Sequence, residues 1–154
     1  MRTLIFISCM FLASFAQASS YQAGDQVTPI QLEDQFENAV EVNANTLVLL
    51  FSHDMKGGDI IKEALELQVS GAEKIPATQV YIADISGMPS LIAKFVAIPQ
   101  MKDLPFPMGL DREGEMTKLL PSEEDMASLI LLDNLKVIEV HNFDSSAELI
   151  KALR

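Results

Sequence analysis

The sequence predicts an α/β fold, a central mixed β-sheet with helices on both faces. Three observations predict it. The segment Thr46-Leu47-Val48-Leu49-Leu50-Phe51 is a nearly unbroken apolar run, the pattern of a strand covered on both sides. Strand and helix signals then alternate through the middle of the chain. Strands joined by helical crossovers must run parallel, because the crossover returns the chain to the same end of the sheet. Finally, two strand signals flank Asp133-Asn134 and add an antiparallel hairpin.

The elements follow in order. Val27 to Leu32 is a short extended segment whose Pro29 suits an edge or a strand start. Asp34 to Asn38 is a turn, and Val40-Glu41-Val42 alternates as a second short strand. After the Thr46–Phe51 strand, Ser52 to Gly58 is a break. Asp59 is placed to cap a helix running to about Val69, with Ile60, Ile61, Ala64, Leu65 and Leu67 as its apolar stripe. Gln79 to Asp84 is the next strand. Ser90 to Ile98 is a helix closed by Pro99, since the residue before proline is pushed out of the helical region. Phe106 to Leu110 is a strand, and Asp111-Arg112-Glu113-Gly114 a turn with Gly114 free to take positive φ. Ala127 to Leu132 and Lys136 to His141 form the hairpin. A last helix opens at Ser145-Ser146-Ala147-Glu148, where Ser145 and Glu148 have capping-box spacing.

With 154 residues the chain holds one ordinary domain. Arg2, the apolar run Leu4 to Ala16 and the small-x-small triplet Ala16-Gln17-Ala18 read as a secretory signal peptide over residues 1–18, too short for a spanning helix. The mature domain is then residues 19–154, periplasmic or secreted, with no membrane insertion after cleavage near Ala18. The single cysteine, Cys9, leaves with that segment. A lipid anchor on Cys9 is disfavoured, because Phe6-Ile7-Ser8 lacks the small-residue pattern and the leucine such a site needs. The mature chain therefore has no thiol. That excludes disulfides, cysteine nucleophiles and dithiol redox chemistry. Loss of Arg2 leaves ten basic residues against 22 acidic ones, a net charge of −12. Such a surface repels phosphate backbones and anionic lipids, so nucleic acid is not expected as a partner.

The order of elements resembles the thioredoxin-like order, and local pieces resemble its peroxiredoxin and thiol-oxidoreductase branch. Gly24-Asp25-Gln26-Val27-Thr28-Pro29-Ile30, with Leu32-Glu33-Asp34-Gln35 after it, is similar to the opening of that branch. Leu47 to Ser52 resembles the strand leading to its active-site loop. Phe106-Pro107-Met108-Gly109-Leu110-Asp111-Arg112-Glu113-Gly114 resembles a later strand and turn, and Leu129 to Asp133 with Lys136-Val137-Ile138 its closing hairpin. The resemblance implies a thioredoxin-like fold. It also places Met55 and Gly58 where the family carries its CxxC pair, and Ala127 near its cis-proline. A thioether forms no thiolate and glycine has no side chain, so disulfide exchange is not expected. A cis peptide without proline costs about 2.5–4 kcal/mol, so a trans peptide is expected before Ala127.

Other chemistry is weighed against plainer readings. Ser52-His53-Asp54 has the residue types of a hydrolase triad, but neighbours in sequence do not converge on one proton path. They read instead as a polar loop at the carboxyl end of a central strand, where open α/β sheets bind ligands. Lys56-Gly57-Gly58-Asp59 offers amides to an anion, yet Asp59 brings a carboxylate to the same place, so a flexible turn with an aspartate cap is the reading. Asp111, Glu113 and Glu115 alternate like a calcium loop but lack its glycine and its final glutamate. His53 and His141 are the only imidazoles and lie on separate elements, so no metal site is expected. Met88, Met101, Met108 and Met126 are read as core and loop filler rather than a ligand surface.

The expected function is an exported thioredoxin-fold module that binds a protein or an extended peptide without redox chemistry. The candidate binding residues are Ser52, His53, Asp54, Lys56 and Asp59, with Glu123 and Glu124 on the loop Ser122 to Ala127. No catalytic residue and no cofactor is assigned. The alternative is an enzyme with an unrecognised site, such as a flavin-associated oxidoreductase, although no G-x-G-x-x-G motif is present.

Overall fold

The computed structural model describes residues 20–154, so the signal-peptide reading and Cys9 lie outside the described residues. Among these residues seven strands form one sheet: β1 (Ile30–Glu33), β2 (Ala39–Val42), β3 (Val48–Ser52), β4 (Gln79–Asp84), β5 (Gly109–Asp111), β6 (Ala127–Asp133) and β7 (Lys136–Phe143). Their order is β2-β1-β5-β4-β3-β6-β7. β3, β4 and β5 run parallel, while β6 is antiparallel to β3 and to β7, and β1 to β5 and β2. The sheet is thus mixed, as its sequence implies, with the apolar run of β3 at its centre. Within β3 the side chains alternate: Leu50 faces one core cluster, Leu49 and Phe51 the other.

Helix α1 spans Met55–Ser70. It starts four residues before Asp59, the cap expected from the sequence. Asp54 is the N-cap instead, its extended backbone and its carboxylate taking the Gly57 amide. Asp59 lies inside the helix and pairs with Lys62 one turn on, 2.6 Å from its Nζ.

A second helical stretch is α2 (Ser90–Ile92), a π-helical turn (Ala93–Ala97) and α3 (Ile98–Met101). Pro99 was expected to close this helix and does not. A proline ring collides with the carbonyl four residues back in a regular α-helix. Here the Ile98 amide reaches back five residues to Ala93, the chain widens, and Pro99 sits in the first turn of α3. Helix α4 is Ser146–Ala152. Ser145 is its N-cap, but its hydroxyl takes no amide. Only its carbonyl accepts, from Leu149 at 3.1 Å.

Helical cover is one-sided among the described residues, where the sequence suggests helices on both faces. Ile60, Ile61, Ala64 and Leu65 of α1, Leu149 and Ile150 of α4, and Ala93, Ile98 and Met101 all pack on the face bearing Leu50, Tyr81 and Leu129. Steps from β3 to β4 to β5 go in one direction, and right-handed crossovers then place both connections on the same face. The return from β5 to β6 is made by turns rather than a helix. The opposite face, with Leu49, Phe51, Ile82 and Ile130, is closed by Val27, Leu120 and Leu135 with Tyr21 beside them. The N-terminal segment is fixed there by backbone bonds: Gly24 N–H donates to Val137 O and Val27 N–H to Leu135 O, both at 2.8 Å. No helix among the described residues is long and apolar enough to cross a membrane.

Candidate functional site

The carboxyl ends of β3 and β4 lie side by side, with Ser52 opposite Ala83 in the register. Three polar pairs form there, each joining residues far apart in sequence. Ser52 ends β3 and is buried, not part of a polar loop. Its Oγ lies 2.9 Å from Tyr81 Oη. Two hydroxyls bring two protons to one mutual bond, so one O–H remains for another acceptor. Burial pushes the Tyr81 phenol up to about 12. The Ser52 bond opposes this shift and the Asp59 charge adds to it.

His53 Nδ1 is 3.2 Å from Asp84 Oδ2, and the other Asp84 oxygen accepts the Ser86 amide at 2.9 Å. A carboxylate only accepts, so Nδ1 is the donor in this bond. The imidazole is mostly exposed while the carboxylate side chain is buried. His53 is thus oriented by Asp84, not by its neighbour Asp54, and Ser52 is oriented by Tyr81. The three consecutive residues do not assemble as a triad.

Asp54 ties two loops together. Its Oδ1 accepts from Gly57 N and its Oδ2 from Asp125 N, both at 2.8 Å. Asp125 is in the left-handed region, φ 62°, which aims its amide at Asp54. Lys56 Nζ is 3.5 Å from the Asp125 carboxylate, an exposed pair of small energetic value. Gly57 has a steric role. A Cβ there would stand 2.2 Å from Met126 O, so only glycine lets the 121–126 loop lie this close to α1. The Lys56-Gly57-Gly58-Asp59 segment is therefore the first turn and continuation of a helix under close packing, not a flexible turn.

A groove of about 780 Å³ opens over these pairs. Ser52, His53, Asp54 and Asp59 line it, and so does Gly58, whose added Cβ would sit 3.6 Å from both Ser52 Oγ and Tyr81 Oη. Lys56, Glu123 and Glu124 do not line it; Glu123 and Glu124 are exposed on the neighbouring loop. Residues that the sequence does not mark as binding residues complete the wall: Lys62, Tyr81, Asp84, Ile92 and four methionines, Met55, Met88, Met101 and Met108. Asp84 was findable, since it ends the strand parallel to β3. Met88, Met101 and Met108 read from the sequence as filler, and Met55 as the residue at the family's CxxC position. Asp111, read as one acid of a solvated turn, is buried. Its two oxygens accept from the amides of Glu113, Gly114, Met116 and Thr117 and from the Thr117 hydroxyl, so it organises the turn after β5.

The fold is thioredoxin-like. A thio-disulfide isomerase from Thermus thermophilus superposes with a TM-score of 0.55 at 18% identity, over 86% of this chain and 95% of its own. The thioredoxin domain of a thiol-disulfide oxidoreductase from Bacteroides vulgatus gives 0.53 at 15%, over 87% and 99%. A peroxidoxin from Mycobacterium tuberculosis gives 0.51 at 16%, over 86% and 97%. No family model and no curated protein matches the sequence. With Cys9 as its single cysteine, the chain has no CxxC pair. Met55 and Gly58 stand at N1 and N4 of α1, and Ala127 opens β6. The peptide bonds of the described residues are all trans.

Proposed function

We propose that this is an exported thioredoxin-fold module that binds a protein segment or an extended peptide without thiol chemistry. The observation that carries the proposal is the groove at the carboxyl ends of β3 and β4, where ligands of open α/β sheets sit. Its apolar walls supply burial, and Ser52–Tyr81 and His53–Asp84 supply a few oriented polar groups.

The seat differs from a peptide laid along the loop before β6. Asp125 N–H is already given to Asp54, and Met126 N–H to Glu123 O at 3.3 Å. Those donors serve the fold. The ligand is instead placed in the groove, with Glu123 and Glu124 adding charge at one flank. A photo-crosslinking side chain at Met55, 75% exposed on the groove rim, should capture a partner in cells. The same group at Leu67, three turns along α1, should not. Equal capture at both positions, or none at Met55, overturns the proposal.

A further inference from the structure

The groove is lined by four of the six methionines in residues 20–154. Methionine walls are polarisable and adapt to varied apolar shapes. The apolar surface does not stop at the groove. Ile92 lines it, and the same helical stretch carries Leu91 and Phe95 outward, 70% and 67% exposed, with Ile92 and Val96 about half exposed. Leu91 and Phe95 are four residues apart, as are Ile92 and Val96, so the four form one side of the stretch. Contiguous exposed apolar area of this kind marks an interaction site. A small ligand held in the groove would leave it bare.

Charge selects among occupants of that size. Among the described residues Asp54, Asp59 and Asp84 line the groove against one ammonium, Lys62, which is itself committed to Asp59; Lys94, outside the groove lining, lies over the Phe95 ring at 5.6 Å. The chain as a whole carries −11. An acidic peptide or an anionic bilayer would be repelled, and a cationic one attracted. We infer that the occupant is a basic amphipathic peptide segment of a partner protein. Its apolar residues fill the methionine-lined groove and cover Leu91 and Phe95, and its lysines or arginines face Asp59 and the acidic rim. The inference rests on the binding-module reading and adds the chemistry of the partner.

The test is fluorescence anisotropy with three labelled peptides of equal length: leucine–lysine amphipathic, leucine–glutamate amphipathic, and glycine–serine–lysine of the same charge as the first. The leucine–lysine peptide should bind at least about tenfold more tightly than either other, and more weakly as salt rises. Leu91→Ser with Phe95→Ser should weaken it about tenfold. Asp59→Lys should weaken it and flatten the salt dependence. Ile138→Ser, an exposed apolar change on β7, should leave it unaltered. All these side chains are exposed, and circular dichroism confirms folding of each variant.

Equal binding of the leucine–glutamate peptide, lost in the Leu91/Phe95 variant, overturns the charge selection and leaves the binding module standing. Equal binding of the glycine–serine–lysine peptide reduces the effect to bulk charge and overturns the inference. A dimer in sedimentation that the Leu91/Phe95 variant dissociates gives the face to a second copy and overturns it as well. If no peptide binds while Met55 still crosslinks a partner, the inference fails alone; if crosslinking fails too, both readings fail.

Discussion

Gly57 and Gly58 are adjacent in one helix, and replacing each by alanine should move stability in opposite directions. Glycine inside a helix costs roughly 0.5–1 kcal/mol relative to alanine. At Gly58 the nearest atoms to an added Cβ are 3.6 Å away, ordinary contact. Gly58→Ala should therefore recover about that amount. At Gly57 the same methyl meets Met126 O at 2.2 Å and its carbonyl carbon at 2.9 Å. The obstacle is backbone, so the 121–126 loop must retreat by roughly 1 Å, at an overpacking cost of about 1–3 kcal/mol. That retreat also stretches the 2.8 Å bond from Asp125 N to Asp54, a carboxylate bond worth about 1.5–3 kcal/mol. After the propensity gain, Gly57→Ala should lose about 2–4 kcal/mol. At roughly 4 °C per kcal/mol for a domain of this size, Gly58→Ala raises the melting temperature by about 2–4 °C and Gly57→Ala lowers it by about 8–16 °C. Thermal unfolding followed by circular dichroism reads both. If Gly57→Ala melts at or above the parent temperature, the 121–126 loop does not press on α1 at Gly57.

Three further outcomes are expected. Asp54→Ala removes the helix cap and the bond to Asp125 and should cost about 2–4 kcal/mol in urea unfolding, with Asp54→Asn keeping part of it; a loss within 0.5 kcal/mol would contradict the bridging role. The Tyr81 phenol ionises near 12 when folded and near 10 when unfolded, so its stabilisation is fully present below pH 10 and is lost as pH rises to about 12. The loss is about 3 kcal/mol, it should vanish in Tyr81→Phe, and ultraviolet titration of tyrosinate should show one of the two tyrosines lagging. Protein purified from the exported fraction should start at Ser19 by intact mass, show no visible flavin bands, and give no turnover in insulin-reduction or peroxide assays.

Strands were legible because their alternation is local. Gln79–Asp84 and the two strands around Asp133-Asn134 need no information from elsewhere in the chain. The start of α1 was not legible, because Asp54 and Asp59 are equally good caps locally. What selects Asp54 is the amide of Asp125, 71 residues away, and the packing of Gly57 on Met126. The same limit hid the site. Ser52 with Tyr81, and His53 with Asp84, are 29 and 31 residues apart and meet only because β3 and β4 are parallel neighbours in register. Ser52, His53, Asp54 and Asp59 were visible as residue types, but their partners were not. Pro99 misled for a related reason: it forbids a regular helix, and the π turn escapes that rule at the expense of one residue's register.

The face that carries no helix among the described residues has a consequence expected for folding. Residues 21–27 cover that face, yet their amides are held by Leu119, Leu135 and Val137. The first part of the domain to be synthesised is thus secured by one of the last. Contacts of such long sequence separation form late and slowly, because the loop must close before they reward it. Until the β6–β7 hairpin exists, Leu49, Phe51 and Ile82 have no stable cover. A chain interrupted before Leu135 should therefore remain open and sticky, and a deletion that removes Tyr21 to Val27 should slow refolding as well as weaken the fold.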